Sequence, residues 1–443
     1  MRPAPARFAA STAGERILND RIATSRILKK SPTRKTRASV LAIYSFLLAA
    51  LLCSNAAFPN VRSLVGVQSS AAKPIQRMVA ITVDDLPGAE PGTHHAIGNL
   101  KELERINRAI PAALRAHHVP GIGFVNEWKL QVDGQRDARA ALLEMWLDAG
   151  MSLGNHTYSH PDFQTTPLDR YEDETIRGEV ITRALMSAAG QKEKYFRHPF
   201  LNTGPTAEAK SAFEAFLKDR GYRVAPVTVD PSDYMFNDIL GESAEKKDKE
   251  LGEKAKKEYL VYANIVFAYE EQESRNLFQR EIPQVLLIHD SDLNAECLDA
   301  LLTQLEKRGY QFISLDDALA DPTYATPDLF VGGVGISWLT RWKLAFGQKP
   351  DYQNSPEPPK WVQQGFEEIR SAHAKQQGLS SGPVILSAAR FLRLWGGRSI
   401  SAYIQARASH PTQSPAESPS STSPAPSKSA PPLRESHPRH PSQ

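Results

Sequence analysis

The sequence contains little cysteine and little net charge, and each shortage excludes a class of protein. Cys53 and Cys297 are the only cysteines among 443 residues, so a cysteine-rich zinc site and a disulfide framework are both excluded. The formal net charge of +3 is small for this length, and it gives no electrostatic case for binding nucleic acid. Hydrophobic residues make up 41% of the chain, which is enough to bury a full core in one large domain.

Long hydrophobic runs are also lacking. The longest, residues 40–53, is 14 residues long, whereas a membrane span needs about 20. Basic residues crowd before this run and small residues follow it, a pattern typical of an export signal. The sequence therefore predicts a basic leader and signal peptide over residues 1–57, cleaved near Ala56 or Ala57, and a protein that is periplasmic or secreted. The alternative is an uncleaved anchor at residues 40–53, which would be the only contact with the membrane.

Beyond a linker at residues 58–76, short apolar runs alternate with amphipathic stretches of helical length. This alternation predicts parallel strands joined by right-handed helical crossovers, and their number favours a closed or nearly closed β/α barrel. We assign residues 77–325 to this catalytic domain, with a charged insertion of two helices at 237–280. Residues 326–408 form a predicted helical extension. Residues 409–443 are rich in proline and serine, which predicts a disordered tail.

Two polar motifs follow predicted strands. Asp84 and Asp85 end the apolar run 78–83, and His156 and His160 follow a short strand and loop. Their i, i+4 spacing predicts that the two histidines project from the same side of a helical turn, where both imidazoles can reach one ion. With one carboxylate they form the donor set of a catalytic zinc site, which keeps one position open for water. The second carboxylate would then lie beside the ion and act on that water.

Each motif alone has an ordinary explanation. An Asp-Asp pair is common in turns and at helix starts, and a His-x-x-x-His pair is weak without its context. Three further strand ends carry Arg197, Asp233 and His289. Singly these could be a surface ion-pair member, a turn residue and a core histidine. Because the ends of parallel strands meet at one rim, where α/β folds place their chemistry, the joint pattern favours a functional site.

In their order, the five segments resemble those of the polysaccharide deacetylase family, the NodB-homology group of carbohydrate esterases (family four). The matching segments are Thr82–Asp85, His156–His160, Arg197–Pro199, Asp230–Tyr234 and Leu287–His289. The resemblance implies a distorted, partly open (β/α) barrel of the NodB-homology type, here with a C-terminal helical extension. It also implies a divalent metal cofactor, with zinc preferred.

The resemblance further implies a role for eleven residues. Three would bind the metal: Asp85, His156 and His160. Four would be catalytic: Asp84 as general base, Arg197 as its ion-pair partner, His289 as general acid and Asp233 as the group that orients His289. An opposite charge beside Asp84 is expected to lower its pKa. Four would contact the substrate: Pro199, Phe200, Tyr234 and Leu287.

The chain departs from the family pattern at two positions. Pro199 is followed by Phe200-Leu201, where the family usually has Tyr-Gly, and Tyr234 replaces the usual Trp. Both changes keep an aromatic ring but alter the walls of the groove. The resulting hypothesis is removal of acetyl groups from an N- or O-acetylated polysaccharide or oligosaccharide, with chitin oligomers or peptidoglycan amino sugars preferred. The alternatives are hydrolysis of another small amide or ester, and a non-catalytic glycan-binding protein.

Overall fold

A computed structural model describes residues 76–89, 99–349 and 354–376. The predicted leader and signal, nearly all of the predicted linker, part of the predicted extension and the predicted tail lie outside these residues. Within the described ranges, none of the helices combines the length and apolarity needed to cross a membrane.

The centre of the structure is a curled parallel sheet of seven strands that forms a half-barrel. The strands are β1 (Arg77–Leu86), β2 (Ile122–Val125), β3 (Ser152–Asn155), β4 (Tyr195–Phe196), β5 (Arg223–Val224), β6 (Gln284–His289) and β7 (Tyr310–Phe312). Their spatial order is β5-β4-β3-β2-β1-β6, with β7 also paired to β1. Every pair is parallel. The predicted class, a partly open (β/α) barrel, is confirmed.

The helices cross over the sheet between strands, as parallel pairing requires. They are α1 (Leu100–Ala116), α2 (Arg136–Asp148), α3 (Leu168–Arg177), α4 (Val180–Ala188), α5 (Ala207–Asp219), α6 (Asp233–Lys246), α7 (Lys249–Phe278), α8 (Asp292–Lys307), α9 (Leu315–Leu319), α10 (Trp338–Trp342) and α11 (Lys360–Gln376). The two helices predicted at 237–280 are present as α6 and α7. The first begins at Asp233, inside the fourth motif, so this motif sits at a helix start.

Strand β1 is central because both of its faces are covered. Thr82 and Val83, which point to opposite faces, are both fully buried, as expected of a strand whose neighbours and flanking helices exclude water. Its register places Asp84 opposite His289 on β6. The first and last motifs therefore meet at the same rim.

Strand β5 has only two residues. Only Arg223 and Val224 pair with β4, and Val229 makes one isolated bridge to Leu286. Pro226 lies between them and has no N–H to donate, which interrupts a continuous ladder. The chain then leaves the sheet and enters α6.

The helical extension packs on the sheet. Trp338 and Trp342 join Leu201, Val227 and Leu287 in one buried cluster. The backbone N–H of Trp338 donates to the Val227 carbonyl at 2.8 Å. This part of the predicted extension therefore packs close to the third and fifth motifs.

Candidate metal centre and active site

The carboxylates of Asp84 and Asp85, at the end of β1, both lie close to the same histidine. Asp85 has a left-handed backbone, with φ of 73°, and the pairing of β1 with β2 shifts register between Val83 and Leu86. Regular neighbours on a strand point to opposite faces, and this irregularity removes that constraint. His156 Nε2 consequently lies 3.7 Å from Asp84 Oδ2 and also 3.7 Å from Asp85 Oδ1.

The histidine pair lies on a loop, so the predicted helical turn at residues 156–160 is wrong. Thr157 and His160 both have positive φ, 67° and 59°, which no right-handed helix allows. The Asn155 side chain accepts the Thr157 N–H at 2.7 Å, and such short polar side chains favour turns over helices. The two imidazoles still converge, with ring centroids 4.9 Å apart.

Asp85, His156 and His160 have the geometry of a metal site. Their donor atoms all lie within 4.8 Å of one another. Asp85 Oδ1 is 3.6 Å from His160 Nε2 and is a buried oxygen without a hydrogen-bond partner. His156 Nδ1 is 2.8 Å from the Arg197 carbonyl; because a carbonyl only accepts, Nδ1 carries the proton and Nε2 keeps its lone pair. The three residues fit a divalent metal with nitrogen and oxygen ligands.

Lys129 also belongs to this site, although nothing in the sequence around it indicates such a role. Its ammonium donates to the carbonyls of Asp85 and Gly88 at 3.1 and 3.0 Å and lies 3.6 Å from Asp85 Oδ1. Only 1% of the residue is exposed. Burial raises the pKa of Asp85, but Lys129 and the two histidines outweigh it and lower that pKa below its usual value.

Asp84 lies next to the three possible ligands and is paired with Arg197. The guanidinium Nη1 is 3.3 and 3.2 Å from the two carboxylate oxygens, and Nη2 donates to Thr82 Oγ1 at 2.9 Å. Burial raises the pKa of Asp84 and exceeds the lowering by Arg197, so the pKa rises to about 6. The expected net lowering is therefore wrong, because the site is so thoroughly desolvated.

His289 and Asp233 complete the rim. His289 Nδ1 is 2.7 Å from Asp233 Oδ1, and the backbone N–H of His289 donates to Asp233 Oδ2 at 2.7 Å. Burial lowers the pKa of His289, but the carboxylates of Asp233, Asp85 and Asp84 outweigh it and raise the pKa to about 10. His289 is therefore protonated at neutral pH.

Part of the chain matches a known protein family. Residues 71–223, which include the first three motifs, match the model of the family described as "Polysaccharide deacetylase". Over these residues the chain resembles the polysaccharide deacetylase family. The fourth and fifth motifs lie beyond the matched residues and reach the site through α6 and β6.

The chain is 24% identical over 221 residues to peptidoglycan-N-acetylmuramic acid deacetylase PdaA of Bacillus subtilis (strain 168), covering 49% of this chain and 67% of PdaA. It is 23% identical over 190 residues to an uncharacterized 30.6 kDa protein of Geobacillus stearothermophilus, covering 43% and 58%. Among solved structures, it is similar to BA3943, a CE4 family pseudoenzyme from Bacillus anthracis, with 18% identity, 56% and 66% coverage and a TM-score of 0.36. The chain thus spans only about two thirds of these proteins or less.

The four predicted substrate-contacting residues divide into two groups. Phe200 and Tyr234 lie at the rim: the Phe200 side chain is 40% exposed with its ring centroid 4.6 Å from that of His160, and the Tyr234 ring is 6.0 Å from His289. Pro199 and Leu287 are buried. Their positions suit the wall of a pocket more than an open surface.

Asp290 directly follows the fifth motif in the sequence. The residue is fully buried, and burial raises the pKa of its carboxyl to about 8 although Lys129 lies nearby. Its backbone carbonyl accepts the Ala89 N–H at 2.7 Å. Asp290 therefore joins the turn after β1 to the strand end that carries His289.

Proposed function

We propose that this chain is a metal-dependent hydrolase that removes acetyl groups from an N- or O-acetylated glycan outside the cytoplasm. The observation that carries the proposal is a single juxtaposition: a buried Asp84–Arg197 pair and a protonated His289 lie beside a cluster of two histidines and one aspartate. A binding protein would need no base, no partner for that base and no acid in one place.

In this proposal Asp85, His156 and His160 hold the metal. Two imidazoles and a carboxylate favour zinc, although the same donors accept other divalent ions. When bound, the metal lowers the pKa of a water molecule and polarises the carbonyl of the acetyl group.

Asp84 acts as the general base. With a pKa of about 6, it is ionised at neutral pH yet basic enough to take a proton from the attacking water. Arg197 keeps the carboxylate in place through its two contacts. The water oxygen forms a bond to the acetyl carbon, and the backbone N–H of Phe200 is proposed to stabilise the resulting oxyanion.

His289 acts as the general acid. Its raised pKa keeps the imidazolium protonated, and Asp233 Oδ1 fixes Nδ1 at 2.7 Å, which leaves Nε2 as the proton donor. As the bond from carbon to nitrogen or oxygen breaks, this proton passes to the leaving amine or alcohol. The products are acetate and the deacetylated sugar.

The proposed substrate class is peptidoglycan amino sugars, with chitin oligomers second. The named activity of PdaA toward peptidoglycan supports the first. The exposed ring of Phe200 and the half-buried ring of Tyr234 support binding of any sugar, because aromatic rings at a rim offer flat apolar surfaces for pyranose rings. Hydrolysis of another small amide or ester would use the same acid and base. Such a substrate would differ only in its contacts with the rim.

The test is acetate release from acetylated oligosaccharides by native protein and by Asp84→Asn. We expect chelator to abolish release and the substitution to reduce it by about 10²–10⁴-fold. Asp148→Asn, an exposed aspartate at the end of α2, is the matched control and should release acetate at the native rate. Release that survives chelator or loss of Asp84 contradicts the mechanism. Binding of oligosaccharide without any release identifies a glycan-binding protein instead.

A further inference from the structure

A second pocket, which the proposed reaction does not use, adjoins the candidate active site. It has a volume of about 120 Å³ and lies between the start of α6, the middle of α7 and two C-terminal stretches, residues 335–340 and 355–356. Such a volume holds several water molecules or one small polar group. Its lining includes Asp230, Tyr234, Tyr262, Tyr269, Glu270 and Thr340.

The pocket shares a wall with the active site. Tyr234 lines it, and the ring of Tyr234 is 6.0 Å from the His289 ring. Asp230, also in the lining, accepts the Ser232 N–H at 2.8 Å and lies close enough to Arg197 for the two charges to interact. A glycan whose acetyl group lies at Asp84 would therefore extend past this pocket.

Glu270 is the unusual residue of the lining. It is only 6% exposed, and its Oε2 is a buried oxygen with no hydrogen-bond partner. Burial, together with the nearby Glu273 carboxylate, raises the pKa of Glu270 well above its ordinary value. A hydrogen bond with the Ser337 side chain and the charge of Lys343, which is paired with Glu273, lower this pKa, but burial outweighs both. A buried carboxyl oxygen without a partner costs free energy that a ligand with the right donors would recover.

The chemistry of the lining favours a cation. No lysine, arginine or histidine is among the described residues that line the pocket, while two carboxyl groups and three tyrosine rings are. An ammonium group beside Glu270 would lower the pKa of that carboxyl and favour the carboxylate, which binds the ammonium through charge-assisted hydrogen bonds, and aromatic rings attract cations to their faces. A neutral sugar hydroxyl would gain neither of these charge-dependent interactions.

We propose that this pocket binds the protonated amine of an amino sugar that has already lost its acetyl group. The inference rests on the proposed function, since hydrolysis of an acetamide produces such an amine and leaves it on the same glycan chain. A partly deacetylated chain would then bind with one amine beside Glu270 and the next acetyl group at Asp84. The protein would prefer glycans that carry both groups.

The test is calorimetric binding of a glucosamine trimer and of an N-acetylglucosamine trimer at a pH of about 6, where amines are protonated. Chelator is present so that the acetylated trimer is not consumed. We expect the native chain to bind the glucosamine trimer at least about tenfold more tightly, and Glu270→Gln to remove that preference. Glu250→Gln, an exposed glutamate on the same helix, is the matched control and should keep it.

Equal affinity for the two trimers, or a preference that Glu270→Gln leaves intact, overturns the proposal and indicates recognition of hydroxyls. If Glu270→Gln fails to fold in a thermal unfolding scan, Thr340→Leu fills the pocket without touching a carboxyl group. It should abolish the same preference, and an unchanged preference overturns the proposal. Acetate release without chelator is measured separately. Absence of acetate release would contradict the proposed reaction. The trimer comparison alone tests whether the pocket binds an amine.

Discussion

The ammonium of Lys129 lies 3.6 Å from the carboxylate of Asp85 and donates to the backbone carbonyl of the same residue. One side chain thus holds both the backbone and the charge of a proposed metal ligand. Its third contact, to the Gly88 carbonyl at 3.0 Å, fixes the turn that follows β1. The buried ammonium of Lys129 therefore stabilises the left-handed backbone conformation of Asp85.

Lys129→Met should lower the free energy of unfolding by about 1–3 kcal/mol, because two carbonyls lose a buried charged donor. The measurement is urea unfolding with chelator present, so that metal binding does not contribute. Lys101→Met, an exposed lysine in the first turn of α1, should leave the unfolding curve unchanged. If Lys129→Met and the native chain were equally stable, the Lys129 contacts would contribute nothing to the free energy of unfolding.

The proposed ligands can be tested without any assay of activity. We expect His160→Ala to weaken zinc binding by more than about 100-fold, since removal of a ligand costs more than removal of an outer partner. Zinc should raise the melting temperature of the native chain, because it binds only the folded state, and should not raise that of the variant. His118→Asn, at an exposed histidine, is the control. Undiminished zinc binding by His160→Ala would rule out this site.

The rate of acetate release should show a bell-shaped dependence on pH. Its acid limb follows Asp84, whose pKa is about 6, and a bound cation moves that limb to lower pH because it favours the carboxylate. Its alkaline limb follows His289, whose pKa is about 10. Above that limb the acid has lost its proton, and below the acid limb the base has gained one.

Asp233→Asn should move the alkaline limb to lower pH, because loss of the neighbouring negative charge lowers the pKa of His289. The measurement is kcat/KM across the pH range. Asp299→Asn, an aspartate whose side chain is 75% exposed, should leave both limbs in place. A uniform loss of rate with an unmoved limb would mean that Asp233 only supports the fold.

The export hypothesis is tested by sequencing the N-terminus of the protein recovered from outside the cytoplasm. The first residue should lie near Ala57, since cleavage is expected after a small residue that follows the apolar run. A first residue before position 50 would exclude a cleaved signal and leave the uncleaved anchor at residues 40–53 as the alternative.

The sequence by itself predicted the sheet class and the residues that gather at its rim. Alternating apolar and amphipathic stretches determine parallel strands, and motifs after β1, β3, β4 and β6 must meet because parallel strands end at one edge. The order of the five motifs also indicated the resemblance to the polysaccharide deacetylase family. These inferences need only local patterns and the rule that parallel strands share a direction.

Tertiary structure decided what local patterns do not encode. The histidines converge from a loop instead of a helix, because Thr157 and His160 take left-handed conformations. Lys129 and Asp290 enter the site from segments that appear ordinary in sequence. The pKa of Asp84 rises although Arg197 is adjacent, because burial is a property of the surrounding fold and here outweighs the pair. Burial and approach distance depend on the whole packed chain, and they set the chemistry at this rim.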